Sequence, residues 1–494
     1  MLDQFARQNR WWLNPADIQN DRHLRQLRRA PVRWEPPLPF QFDRDAVYTL
    51  RGPRQVGKST ILKRQIAALL ADGWPADRIL YLDVELAGLE TARDLVDAIR
   101  AYCDSQDSWR NAARTGVGER LAIFLDEVTR VQDWAGAVRG LVDNDELLDV
   151  TLVATGSHTT DLRRGGERLP GRRGGGQELD LECLPLSFRE YVQLADPELS
   201  LPPPVTTFTP HGTRVSRRDR ALIRSRIEPL LERYLLTGGF LTALNDVARE
   251  NQILPETFEA YREALAGEFT RAGMRETYLR ELIDWLSQHL GQEVDYRGIA
   301  ADTDIGSKDT ARHYLDHLVE IYAALVVHRT TSLTAPGPAF RSPKKIHPLD
   351  PLFGHLIRAW AASDPDPWPS AVDTMTRREE VGHIVESVLT VHLRRRFGDR
   401  VYFWRTSDGR EIDVVIATSG ARYLDSNVGG AHLVEVKYQR QVDERDARAL
   451  ISGGGGVLVT RWLDADLGDG SVYALPAADA LLLLDAPALA PARR

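Results

Sequence analysis

The run Gly52-Pro53-Arg54-Gln55-Val56-Gly57-Lys58-Ser59-Thr60 has the residue types and spacing that hold a polyphosphate, GxxxxGK[ST]. Its glycines let backbone N–H groups face phosphate oxygens. Lys58 can reach the β- and γ-phosphates, and the Ser59 hydroxyl can ligate Mg²⁺. ATP and Mg²⁺ are the implied ligands. A strand-like run, Ala46 to Leu50, precedes the motif, and a helix-like run, Ile61 to Leu70, follows it. That order is what gives the pattern meaning. About 70 residues on, Leu121-Ala122-Ile123-Phe124-Leu125 ends in Asp126-Glu127. Asp126 would hold the Mg²⁺ shell and Glu127 would polarise the attacking water. A further strand ends Ala154-Thr155-Gly156-Ser157-His158. Ser157 is placed to sense the γ-phosphate, with Thr155 as the alternative. Arg172 reads either as a trans-acting arginine, which would imply a homo-oligomer, or as part of a solvated basic loop.

A second set of residues sits near the C-terminus. Glu386 lies on a helical stretch, Asp413 in the strand-like Glu411–Ile416, and Glu435 and Lys437 in Leu433–Tyr438. Alternation puts Glu435 and Lys437 on one strand face, so two adjacent strands could bring Asp413, Glu435 and Lys437 together. Glu386 would reach in from the helix. Carboxylates that bind Mg²⁺ (here Asp413 and Glu435) beside a lysine that orients water are what phosphodiester hydrolysis needs. The other reading is a set of edge-strand charges that keep the sheet soluble. His313 and His317 lack the neighbours of a zinc site.

The elements that must position these residues follow an α/β order. Strand-like runs at 46–50, 79–84, 121–125 and 150–154 alternate with helical patterns, which predicts a parallel sheet covered on both faces. Breaks in the pattern divide the 494 residues into an extended N-terminal arm (1–45), an α/β core that carries the phosphate loop (46–195), a linker and helical segment (196–275), a segment with a helix-turn-helix pattern (276–335) and a C-terminal segment (336–494); the resemblance given below makes the third a lid, the fourth a winged helix and the last nuclease-like. In the fourth segment Leu279, Leu282, Ile283 and Leu286 make one helical stripe. A turn at Asp304–Ser307 precedes a helix from Lys308, and Ser307 can cap it. Lys308, Arg312 and His313 could touch DNA there, although Asp309, Asp316 and Glu320 oppose phosphate contact. Proline-rich breaks are expected at 197–212, 335–348 and 363–370. Trp11, Trp12 and Trp34 would stack on nucleic acid or clip the arm to the core.

The net charge of -8 argues against a wholly basic nucleic-acid coat. Two cysteines, Cys103 and Cys183, make no disulfide framework, and a cytoplasmic location fits. No apolar run reaches the ~20 residues of a membrane span, so no membrane partner is expected.

The chain resembles the predicted AAA+ ATPases of bacteria and archaea that carry a C-terminal domain of unknown function similar to PD-(D/E)XK nucleases. The resemblance rests on the phosphate loop with Pro53-Arg54 inside it, on Asp126-Glu127-Val128 with Trp134, and on Thr155-Gly156-Ser157 leading to Gly171-Arg172. It also rests on Leu184-Pro185-Leu186-Ser187-Phe188-Arg189-Glu190-Tyr191 and on Leu236-Thr237-Gly238-Gly239-Phe240, where Leu241 stands in place of the family's proline. It implies an AAA+ P-loop parallel-sheet core, a helical lid and winged helix, then an α/β restriction-endonuclease-like domain. The implied function is ATP hydrolysis gating a C-terminal domain that binds nucleic acid, DNA before RNA, and cleaves it. The alternative is a nucleotide-dependent regulatory or assembly switch on a catalytically inert nuclease-like scaffold.

Overall fold

Apolar runs buried on both faces pair as parallel strands beneath helices. The N-terminal part of the chain does this with β1 (Ala46–Arg51), β2 (Ile79–Asp83), β3 (Leu121–Asp126), β4 (Val150–Gly156) and β5 (Asp180–Cys183). The computed structural model describes residues 2–106, 120–157, 179–406, 409–418 and 430–491. The five strands are mutually parallel in the order β5-β1-β4-β3-β2, with Leu489–Pro491 antiparallel on the β5 edge. β1 lies between β4 and β5, so the chain changes direction across the sheet beside the phosphate loop. Open α/β sheets bind ligands at such a switch point. Arg172 lies outside the described residues.

The described residues fall into two compact units. One runs to Leu184 and includes Leu489–Pro491; the other runs from Pro185 to Ala488. The N-terminal arm is helical over residues 2–29 and without helix only from 30 to 45. Helices Leu2–Gln8 and Arg22–Arg29 flank two 3-10 turns, Arg10–Trp12 and Pro15–Asn20. The physical reason lies in β2, an edge strand whose backbone groups need partners. Asn9 supplies both: its Nδ2 donates to Tyr81 O at 2.8 Å and its Oδ1 accepts from Tyr81 N at 2.7 Å. Asp83 N donates to Gln8 Oε1 at 2.7 Å, and the Trp11 and Trp12 indoles both donate to Ile79 O. Amide side chains thus take the place of a sixth parallel strand.

In the second unit, helices Glu276–His289, Tyr296–Asp302 and Lys308–Glu320 accompany β6 (Glu293–Val294), β7 (Ala324–Thr330) and β8 (Lys344–Pro348). The expected stripe of Leu279, Leu282, Ile283 and Leu286 is buried, and Ser307 Oγ accepts from Thr310 N at 3.0 Å. The expected break at 335–348 ends in β8, which pairs antiparallel with β6 and β7. β7 also pairs with β9 (Val401–Arg405). This extends the sheet through β10 (Glu411–Ala417), β11 (Ala431–Lys437), β12 (Gly456–Thr460), β13 (Ala465–Leu467) and β14 (Val472–Pro476). The nine strands run in the order β13-β14-β12-β11-β10-β9-β7-β8-β6.

The string from Leu184 to Tyr191 opens this unit at Pro185, and its chemistry is structural. Ser187 and Glu190 close a capping box on helix Phe188–Ala195, and Arg189 donates to Pro202 O and Leu482 O. Phe188 N donates to His392 Nε2 at 3.0 Å, while His392 Nδ1–H donates to Val388 O at 2.8 Å. These bonds require the neutral ring, and burial lowers the His392 pKa to about 3. Between that value and the usual ~6.5 the unfolded chain binds the extra proton, so this stability is present above pH ~6.5 and is lost on acidification. The stability advantage of the wild type over His392→Gln should therefore shrink by about 1.4 kcal/mol per pH unit below ~6.5. Urea unfolding of both proteins at several pH values measures this, and a constant difference would refute it.

Candidate functional site

The phosphate loop joins β1 to helix Lys58–Ala71. A Cβ on Gly52 would stand 1.9 Å from Cys183 O on the neighbouring strand, so only glycine fits there. Gly57, with φ of +107°, directs the chain into the helix. The loop therefore ends at a helix N-terminus, the positive end of the helix dipole. Lys58 is 5% exposed, and its Nζ donates to Gly52 O at 2.8 Å and Pro53 O at 2.9 Å. Phosphate oxygens are charged acceptors and bind an ammonium more strongly than these carbonyls.

Asp126 ends β3 beside this loop's strand layer and is 2% exposed. Tyr81 OH donates to its Oδ2 at 2.7 Å, and Thr155 Oγ1 donates to its Oδ1. Thr155 also accepts from Glu127 N at 3.1 Å, so one hydroxyl sets both acids. Glu127 has φ of +53°, an uncommon conformation for a non-glycine residue and one that clusters at functional sites. Ser157 Oγ lies 3.5 Å from Glu127 Oε2. Thr155 thus orients the acids, while Ser157 reaches the carboxylate expected to polarise water. Carboxylate oxygens have spare lone pairs, so Ser59 and Asp126 suit the hydroxyl and water shell that Mg²⁺ prefers.

Behind Asp126 lies a cluster without a signal in the motif. Lys63, 3% exposed, sits 3.2 Å from the centre of the Tyr81 ring and 3.5 Å from Asp21 of the N-terminal arm. Burial lowers its pKa to about 8, against the pull of Asp21 and Asp126. The arm therefore connects through Lys63 and Tyr81 to the acid of β3.

The C-terminal residues also converge. β10 and β11 are antiparallel, with Val414 opposite Val434. A register shift between Ile412 and Val415 against β9 bends the strand at Asp413, as bulges beside polar sites do. Asp413 N donates to Glu435 Oε2 at 3.3 Å, and Val436 N donates to Asp413 Oδ2 at 2.8 Å. Lys437 Nζ donates to Glu435 Oε1 at 2.6 Å.

A residue outside the expected set also enters this arrangement. Lys345 of β8 enters the cluster, 4% exposed, with Nζ 2.7 Å from Glu386, 2.6 Å from Glu411 and 3.4 Å from Asp413 Oδ1. All four oxygens of Asp413 and Glu435 then face donors of this chain. Among the described residues no group of three or more His, Cys, Asp or Glu is arranged to hold a metal ion. Burial pulls the Lys345 pKa down, but Glu386, Asp413 and Glu411 outweigh it and hold the ammonium charged. Burial first, and then the Asp413 charge, push Glu386 and Glu435 upward. Reasoning from sequence misses Lys345 and Glu411. The only signal for the lysine is its alternation with apolar Ile346 in Lys344–Pro348.

A parallel sheet in this order, with a phosphate loop after β1 and paired acids after β3, defines an AAA-type ATPase domain. Residues 44–192 match the family model of an AAA domain, and residues 381–476 match that of a domain of unknown function, DUF4143. No curated protein matches the chain. One similar solved structure is the S. cerevisiae Hsp104-ADP complex. It is 15% identical over 76% of this chain and 41% of that one, with a TM-score of 0.24. The chain thus spans well under half of that protein's length, and the likeness is too low to bear on assembly or activity. No described helix is long and apolar enough to cross a membrane.

Proposed function

We propose that this protein is an ATP hydrolase acting as a nucleotide-dependent switch, with a nuclease-like C-terminal scaffold that binds nucleic acid without cutting it. The hydrolase part draws on Lys58, Ser59, Asp126, Glu127 and Ser157. Lys58 neutralises phosphate charge, and Ser59 and Asp126 hold Mg²⁺, which supplies further charge stabilisation when bound. Glu127 accepts the proton of the attacking water, with Ser157 at its carboxylate and Thr155 on its backbone N–H. We read segment 276–335 as a winged helix, which its helices Glu276–His289, Tyr296–Asp302 and Lys308–Glu320 and strand β7 support. Arg312 in its third helix is paired with Asp316 at 3.3 Å, which offsets the charge it offers to a phosphate.

One observation supports the inert reading over the cleaving one: the Lys345 ammonium lies where the metal of a nuclease would need open carboxylate oxygens. The test uses one preparation for two assays. ATP turnover should be present in the wild type and lost in Lys58→Ala. Single- and double-stranded DNA and RNA should stay intact in Mg²⁺ or Mn²⁺, with and without ATP. Metal-dependent cleavage that disappears in Asp413→Ala would sink the inert-scaffold reading.

A further inference from the structure

The sheet that carries Lys437 continues into a cleft of about 750 Å³, next to the acid cluster in sequence but chemically unlike it. Its walls carry Arg233, Arg378, Arg440 and Arg461 against a single acid, Glu232. This concentration of positive charge occurs on a chain whose net charge is -8. Glu232 pairs with Arg461 at 3.3 Å. Arg233, Arg378 and Arg440 make no side-chain ion pair or hydrogen bond among the described residues, and all three are exposed. Exposed guanidiniums around one space raise the local positive potential and draw anions to it.

The remaining wall is aromatic. Arg461 lies over the rings of Tyr438 and Trp462, at 5.6 and 4.8 Å, which holds it rigidly at the rim. Trp368, half-buried, lines the cleft and has no aromatic partner among the described residues. Planar guanidiniums match phosphate oxygens in bidentate geometry, and a free indole face matches a nucleobase. A duplex keeps its base faces stacked and offers a cleft only backbone. A free nucleotide brings phosphate to one place, whereas these arginines come from four separate elements.

We propose that this cleft binds single-stranded nucleic acid, with Arg233, Arg378 and Arg440 on successive phosphates and Trp368 stacked on a base. The inference rests on reading the C-terminal part as a nucleic-acid-binding scaffold, and it names the residues and the strandedness.

The test is fluorescence anisotropy of the full-length protein with a labelled oligothymidylate of about a dozen nucleotides. The same sequence as a duplex, a matching RNA strand and unlabelled ATP are added in separate arms. Arg378→Glu combined with Arg440→Glu should weaken strand binding by about tenfold or more. It should also flatten the dependence of log K on log salt by about 1.4, or ~0.7 for each of the two phosphates left without its arginine. Trp368→Ala should weaken binding by about five- to a hundredfold and leave the salt slope unchanged, and Trp368→Phe should recover most of it. Thermal melting of each variant checks folding. The proposal is overturned by no strand binding, by unaltered affinity in the arginine variant, by a duplex bound as tightly as the strand, or by ATP displacing the strand. If the strand binds as described but is cut in Mn²⁺, the cleft stands and the inert-scaffold reading falls.

Discussion

Lys345→Met is expected to lower the stability of the protein by about 3–5 kcal/mol at a mildly alkaline pH, the usual cost of removing one partner from a buried ion cluster. Methionine keeps the length of the side chain and most of its packing, so the loss comes from charge. Glu386, Glu411 and Asp413 would face one another without the ammonium that now stands 2.7, 2.6 and 3.4 Å from them. The cost should fall with pH. Glu386, raised by burial, binds a proton in the folded variant at pH values where the unfolded chain does not, so stability is regained as pH drops toward the unfolded value of ~4.5. Adding Glu386→Gln to the methionine variant should restore part of the loss, with a coupling energy of about 1–3 kcal/mol in a double-mutant cycle. Millimolar Mn²⁺ should raise the melting temperature of Lys345→Met and leave the wild type unmoved, since a divalent ion can then take the place of the ammonium. If Mn²⁺ stabilises the wild type equally, a metal binds beside Lys345 and the cluster is a metal centre after all.

That cluster also marks where the sequence stops being readable. Asp413, Glu435 and Lys437 can be brought together from sequence because strand alternation is local and the two strands are neighbours. Lys345 cannot, because its partners lie 41 to 68 residues away and its strand hides in a proline-rich stretch between Pro343 and Pro348. β5 escapes for a related reason: Asp180–Cys183 is short and alternates acids with apolar residues, so no continuous buried run announces it. β1, β3 and β4 are legible because they are buried along their whole length. The N-terminal arm reads as extended when only its arginines and tryptophans are weighed. Its shape is set by Gln8 and Asn9, whose amides pair with backbone groups of a strand over 70 residues away. Asp126 and Glu127 can be assigned from spacing, but the hydroxyl that fixes both belongs to Thr155. Ser157, the residue favoured for that position on sequence, reaches only Glu127. Motifs carry the atoms that meet substrate, and tertiary contacts select the residues that orient them.

Lys58→Ala is expected to reduce ATP turnover by about a hundredfold or more, the scale seen when one preorganised charge or donor at a transition state is removed. Two separate losses combine. The β- and γ-phosphates lose their cation, which weakens ground-state binding, and the charge that develops during transfer loses it too, which slows the chemical step. Lys58→Arg should not restore activity, because Nζ sits 5% exposed between Gly52 O and Pro53 O and a planar guanidinium cannot occupy that space. Leaving those two carbonyls without a donor also costs the apo-protein about 1–3 kcal/mol. A fall in melting temperature without ligand is therefore part of the expectation. Glu127→Gln separates binding from chemistry. It keeps size and polarity, removes the base, and should drop kcat by about a hundredfold while ATP and Mg²⁺ still stabilise the fold. In a thermal-shift experiment Glu127→Gln should respond to ATP and Mg²⁺ as the wild type does, and Lys58→Ala should not. If Lys58→Ala keeps the full shift and normal turnover, nucleotide is bound and hydrolysed somewhere other than the loop after β1. If Glu127→Gln turns over normally, a different group takes the proton from water. The carboxylate held by Ser157 would then serve only to shape the turn at the end of β3.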